Sequence, residues 1–314
     1  MSRASDSHLA GSSRAPRPFV MPDSLGGRLR VWRYILLRRL SQVGVLALFV
    51  GTFHWGWELA GHPVLAGDLS GSKLLGLVPM ADPFAVLQIL STGHLVSGTA
   101  LLGAALVLGF YGVLGGRVWC AWVCPVNIVT DLAAWLRDRL GVRDMFRLSR
   151  NVRYIALALA ILLSVLTGVA AFEWISPIAM LHRELIYGVG LGWMAVAGIF
   201  LFDLLVLRHG WCGHLCPLGA FYSVVGRHTA QLRVRFDAPT CTRCGECAKV
   251  CPEPQVLNLK KAAEAGMVAS GECSNCGRCI PVCPEHTLHF DLRALIDRHN
   301  ESGHSEHAQR RKAA

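Results

Sequence analysis

The sequence predicts an all-α membrane domain of four transmembrane helices, made from a duplicated two-helix unit, followed by a small α+β domain organised around eight cysteines. Three observations predict it: four apolar runs of membrane length, a W-C-x-x-x-C-P segment that occurs twice, and two cysteine-rich runs near the C-terminus. Of the 314 residues, 53% are hydrophobic and only 17% charged, which points away from a purely soluble protein.

The domain boundaries follow from composition. Residues 1–27 are rich in Ser, Arg, Pro and Gly and lack the apolar core of a signal peptide, so they read as a disordered cytoplasmic tail. Residues 28–236 form the membrane domain and 237–292 the cysteine domain. Residues 293–314 are a polar tail. Its His299, His304 and His307 could bind a metal, but a solvated tail is the plainer reading.

The four spans run over about 40–59, 94–114, 152–172 and 187–207, each near the 20 residues that a hydrocarbon core requires. They lack the polar face at helical period that a soluble bundle shows. Basic residues set their direction. Arg28, Arg30, Arg33, Arg38 and Arg39 precede the first span, and only Lys73 lies between spans one and two. Arg117, Arg137, Arg139, Arg143, Arg147 and Arg150 follow the second, and only Arg183 follows the third. Arg208, Arg227, Arg233 and Arg235 follow the fourth. This alternation puts both termini in the cytoplasm of a bacterial inner membrane. The net charge of +10 then reports topology and contact with anionic lipid, and no nucleic-acid partner is expected. Trp55, Trp57 and Trp174 fall at outer span ends, and Trp119, Trp122 and Trp211 at inner ones, as interfacial belts do.

The two helix pairs resemble each other. Trp119-Cys120-Ala121-Trp122-Val123-Cys124-Pro125 follows span two, and Trp211-Cys212-Gly213-His214-Leu215-Cys216-Pro217 follows span four. Upstream, Asp82-Pro83-Phe84-Ala85-Val86-Leu87-Gln88 matches Ser176-Pro177-Ile178-Ala179-Met180-Leu181-His182. Pseudo-symmetry should bring the two cysteine pairs to face each other at the cytoplasmic surface.

The C-terminal runs read Cys241-x-x-Cys244-x-x-Cys247-x-x-x-Cys251-Pro252 and Cys273-x-x-Cys276-x-x-Cys279-x-x-x-Cys283-Pro284. This is the bacterial two-cluster ferredoxin pattern, in which the fourth thiolate of each run serves the other cubane. One [4Fe–4S] cluster should therefore use Cys241, Cys244, Cys247 and Cys283, and the other Cys273, Cys276, Cys279 and Cys251. A zinc site usually has two C-x-x-C pairs without a third close cysteine, so zinc is the weaker reading. A disulfide framework is weaker too, because the chain is not a small secreted domain. Strands are expected at 232–236, 256–259 and 287–290.

Cys120, Cys124, Cys212 and Cys216 complete the twelve cysteines. A spacing of four puts two thiols on one helix face, so four sulfurs could converge. A third iron–sulfur centre, a redox-active dithiol pair and a structural pair of buried cysteines all remain open. Near the outer face, His54, Glu58, His94 and His182 are candidates for a quinol-oxidising site, since a quinol sheds protons as it loses electrons. The plainer reading makes them interfacial polar residues. Asp203 is expected to pair with Arg208 at the inner interface, ahead of a proton-relay role.

The stretch from Cys120 to Asp131, the stretch from Trp211 to Tyr222 and the two ferredoxin runs together resemble the NapH/MauN-like ferredoxin-type family, over roughly residues 28–292. NosR-like relatives carry a large periplasmic flavin-binding domain and CcoG-like ones an extra C-terminal β domain; neither is found here. The resemblance implies a quinol dehydrogenase subunit that passes electrons towards periplasmic nitrate reductase. The recipient it implies is a NapG-like ferredoxin or a NapC-like tetrahaem cytochrome. A second reading is an assembly or maintenance factor for a periplasmic enzyme such as nitrate reductase or methylamine dehydrogenase. A membrane anchor with purely structural clusters is the third.

Overall fold

The computed structural model describes residues 18–297 apart from Arg147 and Val189. Residues 1–17 of the predicted tail, Arg147, and His299, His304 and His307 lie outside the described residues. The chain forms two compact units. Arg38–Tyr111 and Trp119–Val224 make a helical unit. Residues 18–37, Gly112–Val118 and residues 225–297 make a unit that holds the cysteine runs.

Helix α1, Leu25–Trp55, has 31 residues and is long and apolar enough to cross a membrane. Its first turns carry the arginines expected ahead of the first span. Two of them also work inside the helical unit. Arg38, 1% exposed, donates to the Ala121 carbonyl at 3.0 Å and to Asp131 at 3.2 Å, and Arg39 also pairs with Asp131.

Glu58 to Ala81 departs from the all-α expectation. Strands β1 (Glu58–Leu59) and β2 (His62–Pro63) form a hairpin. Strands β3 (Leu65–Gly67), β4 (Gly71–Leu74) and β5 (Val78–Ala81) form an antiparallel sheet. Glycines set these turns: Gly61, Gly67 and Gly76 have φ of 78°, 111° and 67°, and a Cβ on Gly67 would stand 2.3 Å from the Gly71 carbonyl oxygen.

Helix α2 (Pro83–Ser91) follows, then α3 (Gly98–Leu114), α4 (Val118–Trp122) and α5 (Val126–Leu140). The second half continues with α6 (Val152–Thr167), α7 (Ala171–Ile175), α8 (Pro177–Tyr187) and α9 (Gly192–Leu201). Two π-helical turns, Phe202–Val206 and Trp211–Leu215, lead to α10 (Pro217–Thr229). The helices within the second, third and fourth predicted spans are apolar but shorter than expected: Gly98–Leu114, Val152–Thr167 and Gly192–Val206. Gly168, with φ of 72°, closes α6 before the predicted end of its span.

The upstream halves of the duplication both become short helices with proline in the first turn. Asp82 caps α2 by accepting from the Phe84 N–H at 3.1 Å, and Ser176 caps α8 by accepting from the Ala179 N–H at 3.5 Å. Phe84, Phe172, Trp119, Tyr222, Cys124 and Cys216 are among the buried residues of this unit's core.

In the other unit, β6 (Leu232–Phe236) pairs antiparallel with β7 (Leu288–Leu292), Leu232 opposite Leu292. Helices α11 (Glu246–Val250) and α12 (Leu259–Ala265) lie between them. The strand expected at 256–259 does not form. Asn258 accepts from the Lys261 N–H at 3.2 Å and starts α12, whose Leu-Lys-Lys-Ala-Ala-Glu-Ala is made of helix formers. The short segment Gly112–Val118 is held here by side chains. Asn275 Nδ2 donates to the Leu114 carbonyl at 3.2 Å and the Leu232 carbonyl at 2.8 Å. Arg117 forms a buried ion pair with Glu253 at 2.9 Å and donates to the Glu272 carbonyl at 2.9 Å.

Candidate functional site

The two cysteine runs fold alike. In Cys241-Thr242-Arg243-Cys244 and Cys273-Ser274-Asn275-Cys276 the third residue is left-handed, with φ of 56° at Arg243 and 47° at Asn275. The glycine after each second cysteine is left-handed too, 79° at Gly245 and 73° at Gly277. Such alternation curls the backbone around its own sulfurs and turns N–H groups towards them. The Arg243 N–H donates to Cys241 Sγ at 3.4 Å and the Thr287 N–H to Cys283 Sγ at 3.4 Å.

The thiols stand around two small cavities. One is lined by Cys241, Cys244, Cys247 and Cys283, with Phe236, Leu259 and Leu288 as apolar wall. The other is lined by Cys251, Cys273, Cys276 and Cys279, with Val234, Val256 and Val268. Each cavity thus draws three cysteines from one run and one from the other. Among the described residues, no three His, Cys, Asp or Glu side chains close tightly enough to hold a single metal ion. Four thiols around a space suit a multi-atom cluster, and soft thiolate donors suit iron–sulfur chemistry. Burial pushes the Cys247 and Cys273 thiols up to about 11, and raises those of Cys251 and Cys279 well above the ordinary thiol range. A cofactor that binds these sulfurs as thiolates therefore displaces protons.

The other four cysteines come together within the helical unit. Cys120 lies on α4, Cys124 just before α5, Cys212 in the second π-helical turn and Cys216 just before α10. Cys124 and Cys216 are buried, and no disulfide joins any of the twelve. Burial pushes the Cys124 thiol well up, with the nearby Cys120 and Cys216 adding to it. Cys212 behaves alike beside Cys124 and Cys216, and its Sγ lies 3.7 Å from Thr130 Oγ1 on α5. Trp119, from one half, stacks on Tyr222, from the other, at 6.0 Å.

Asp203 does not pair with Arg208. Its Oδ1 accepts from the Trp211 N–H at 2.9 Å, which fixes the turn that carries Cys212. Arg208 instead pairs with Asp138 at 2.9 Å, and its N–H donates to Asp144 at 3.0 Å.

The outer-face candidates part company. His54, Glu58 and His94 are exposed, His54 at the end of α1 and Glu58 on β1. The Nδ1 of His94 lies 2.8 Å from Thr92 Oγ1. His182, on α8, is only 1% exposed and packs edge-on to Phe49 at 4.6 Å. Sequence reasoning missed two buried polar anchors. Gln88 Oε1 accepts from the Phe172 N–H at 2.9 Å, and Glu184 Oε2 from the Trp193 N–H at 2.7 Å. The alignment of Gln88 with His182 in the duplication was the available signal for the first.

Comparison with known proteins adds to this geometry. One family model, described as a 4Fe-4S binding domain, matches twice, at residues 96–143 and 189–235, once on each half of the duplication. A second, a 4Fe-4S dicluster domain, matches residues 233–284. The chain is 45% identical to the methylamine utilization ferredoxin-type protein MauN of Methylorubrum extorquens, over 78% of this chain and 84% of that protein. It is 45% identical to the ferredoxin-type protein NapH of Haemophilus influenzae, over 72% and 77%. To NapH of Escherichia coli it is 42% identical, over 74% and 79%. No solved structure matches.

Proposed function

Since the chain belongs to the NapH/MauN family of ferredoxin-type 4Fe–4S electron-transfer proteins, we propose that it oxidises membrane quinol and delivers the electrons towards a periplasmic reductase. The carrying observation is the pair of four-thiol cavities, each completed by a cysteine from the other run. Cys241, Cys244, Cys247 and Cys283 hold one [4Fe–4S] cluster, and Cys273, Cys276, Cys279 and Cys251 hold the second. Cys279 of one set lies within electrostatic reach of Cys247 of the other, so an electron can step between the two clusters. The chain's own part is to bury the clusters, aim N–H groups at their sulfurs and so set their potentials.

The membrane part crosses four times with both termini in the cytoplasm. The alternation of arginine-rich and arginine-poor loops supports this. Helix α3, with 17 residues, is about 25 Å long at the α-helical rise, close enough to a hydrocarbon core for local thinning to accommodate it. Cys120, Cys124, Cys212 and Cys216 form a third iron–sulfur centre at the inner surface. Their mutual electrostatic influence and the double match of a 4Fe–4S model to their two halves support that reading. One relative's name points to methylamine utilisation, and the family resemblance points to nitrate respiration, where the outer acceptor is a NapG-like ferredoxin or a NapC-like cytochrome.

The test is to add decylubiquinol or menaquinol to the purified, cluster-loaded protein and follow the clusters by EPR. Reduction by quinol is the expected result. Clusters that dithionite reduces and neither quinol touches would speak for the assembly or maintenance reading, in which electrons leave through the four paired thiols.

A further inference from the structure

The duplication places Gln88 and His182 at equivalent positions, the same number of residues beyond their caps, Asp82 and Ser176. Both side chains are buried, at 0% and 1% exposure. Gln88 is fully engaged: its Oε1 accepts from the Phe172 N–H at 2.9 Å and from Ser164 Oγ at 3.4 Å, and its Nε2 donates to the Phe84 carbonyl at 3.4 Å. In one half the position is therefore a structural lock. In the other half neither imidazole nitrogen of His182 has a hydrogen-bond partner. A buried polar group left unpaired is costly, and each such group asks for an explanation.

The surroundings supply one. His182 meets Phe49 of α1 at 4.6 Å. Further along the same pair of helices, Phe53 of α1 meets Tyr187 of α8 at 5.3 Å and its neighbour His54 at 5.0 Å. Phe53 and Tyr187 are exposed, at 53% and 66%. An aromatic seam thus runs from an exposed apolar rim to a buried imidazole. Burial holds the imidazole neutral, against the opposing pull of the Asp68 charge. A neutral imidazole offers one donor and one acceptor, the match for a hydroxyl or a carbonyl on a flat ring. An apolar ligand with a single polar headgroup matches the chemistry of such a seam, and a charged solute would lose its hydration there.

We infer that His182 binds the headgroup oxygen of a quinol in the seam between α1 and α8, with the ring against Phe49 and the tail leaving past Phe53 and Tyr187. This rests on the quinol reading above and goes beyond it by choosing one residue and one approach. His54, Glu58 and His94 are then interfacial.

The test uses the full-length, cluster-loaded protein in detergent. Decylubiquinone and menadione are titrated and binding is read from quenching of tryptophan fluorescence, with the cluster EPR signals as a check of integrity. His182→Ala should weaken binding about tenfold, the loss of one hydrogen bond, while His94→Ala binds like the unaltered protein. His182→Gln is the folding control, because the duplicate position accommodates glutamine, and its amide keeps a donor and an acceptor, so it should bind more tightly than His182→Ala. Binding by a folded, cluster-loaded His182→Ala equal to the unaltered protein overturns the assignment and leaves the quinol reading standing with another site. Failure of the unaltered protein to bind either quinone overturns both.

Discussion

At the scale of the residue, the crossed cysteine sets make the sharpest statement, because they join residues that lie in different runs. Cys283 closes the cavity of Cys241, and Cys251 closes that of Cys273. If cavity and cluster coincide, Cys283→Ala and Cys241→Ala should erase the same EPR signal, and Cys251→Ala and Cys273→Ala the other. The reverse grouping, by run, would mean that each run holds its own cluster. The four remaining cysteines extend the test to iron content. A double variant, Cys120→Ala with Cys212→Ala, should lose about four irons per chain relative to the unaltered protein, one cubane's worth. Unchanged iron and acid-labile sulfide would leave these thiols as a dithiol or a structural pair. The three-plus-one grouping around each cavity was legible in the sequence, because the spacing within each run marks three cysteines that wrap together and a fourth, before proline, that serves the other run. His182 was grouped with His54, Glu58 and His94 as a candidate and not ranked among them, since nothing in a histidine's sequence context says whether its ring will be buried or at the surface. Asp203 was misread for a similar reason. Its sequence neighbour Arg208 was the obvious partner, but the π-helical turn lifts the Trp211 N–H to the carboxylate instead.

At the scale of the element, two buried charges hold short pieces of chain in place. Arg117 and Glu253 form an ion pair with both side chains nearly fully buried, 3% and 6% exposed. Breaking one side of such a pair strands the other charge, at a cost of about 3–5 kcal/mol, whereas replacing both by apolar residues is often close to neutral. Arg117→Ala should therefore lower the urea midpoint for loss of cluster absorbance. The double variant Arg117→Met with Glu253→Met should recover most of that loss. A midpoint unaffected by Arg117→Ala would show that the pair holds nothing. Asp82, the cap of α2, makes a pH statement. Burial pushes its carboxyl from an ordinary 3.8 up to about 7, with the nearby Glu173 adding and the Phe84 and Ala85 N–H groups opposing. The folded chain therefore holds a proton that the unfolded chain releases above about 4. This contribution to stability is full below that pH, falls as pH rises towards 7, and is gone above it. Asp82→Asn keeps a capping oxygen without the charge, so its thermal midpoint in detergent should change less between pH 5 and pH 8. An equal change in both proteins would remove Asp82 as the cause. Elements were legible where the pattern was strong, as in β6, β7 and the apolar helices. They were lost where signals competed. The run from Val256 to Leu259 looked strand-like, yet the cap at Asn258 started a helix. The strands between Glu58 and Ala81 are too short for any alternation to show.

At the scale of the whole molecule, the arginine pattern and the lengths of the apolar helices pull in different directions, and the difference can be measured. Among the described residues, only α1 is long and apolar enough to cross by length alone, whereas Gly98–Leu114, Val152–Thr167 and Gly192–Val206 are shorter. A topology of one crossing would leave the duplicated halves on the same side as each other without any role for the arginine-poor loops. Four crossings account for those loops, since each has one basic residue, Lys73 or Arg183, while the flanking segments have several. The two topologies differ at residues that a reporter can reach. With four crossings, alkaline phosphatase fused after Lys73 is active, fused after Arg150 inactive, fused after Arg183 active and fused after Ala314 inactive. With one crossing, all four fusions report the same side. The C-terminal fusion matters most, because the eight ferredoxin cysteines sit close to it and depend on a reducing compartment to remain thiolates for iron. A chain whose outermost loops are periplasmic and whose cysteine runs are cytoplasmic must pass electrons across about 30 Å of hydrocarbon to reach an outer acceptor, or leave that step to quinol itself. A quinol headgroup seated at His182 would lie on the outer side of that barrier, so the alternation of fusion activities also decides on which face the seam between α1 and α8 meets the quinone pool.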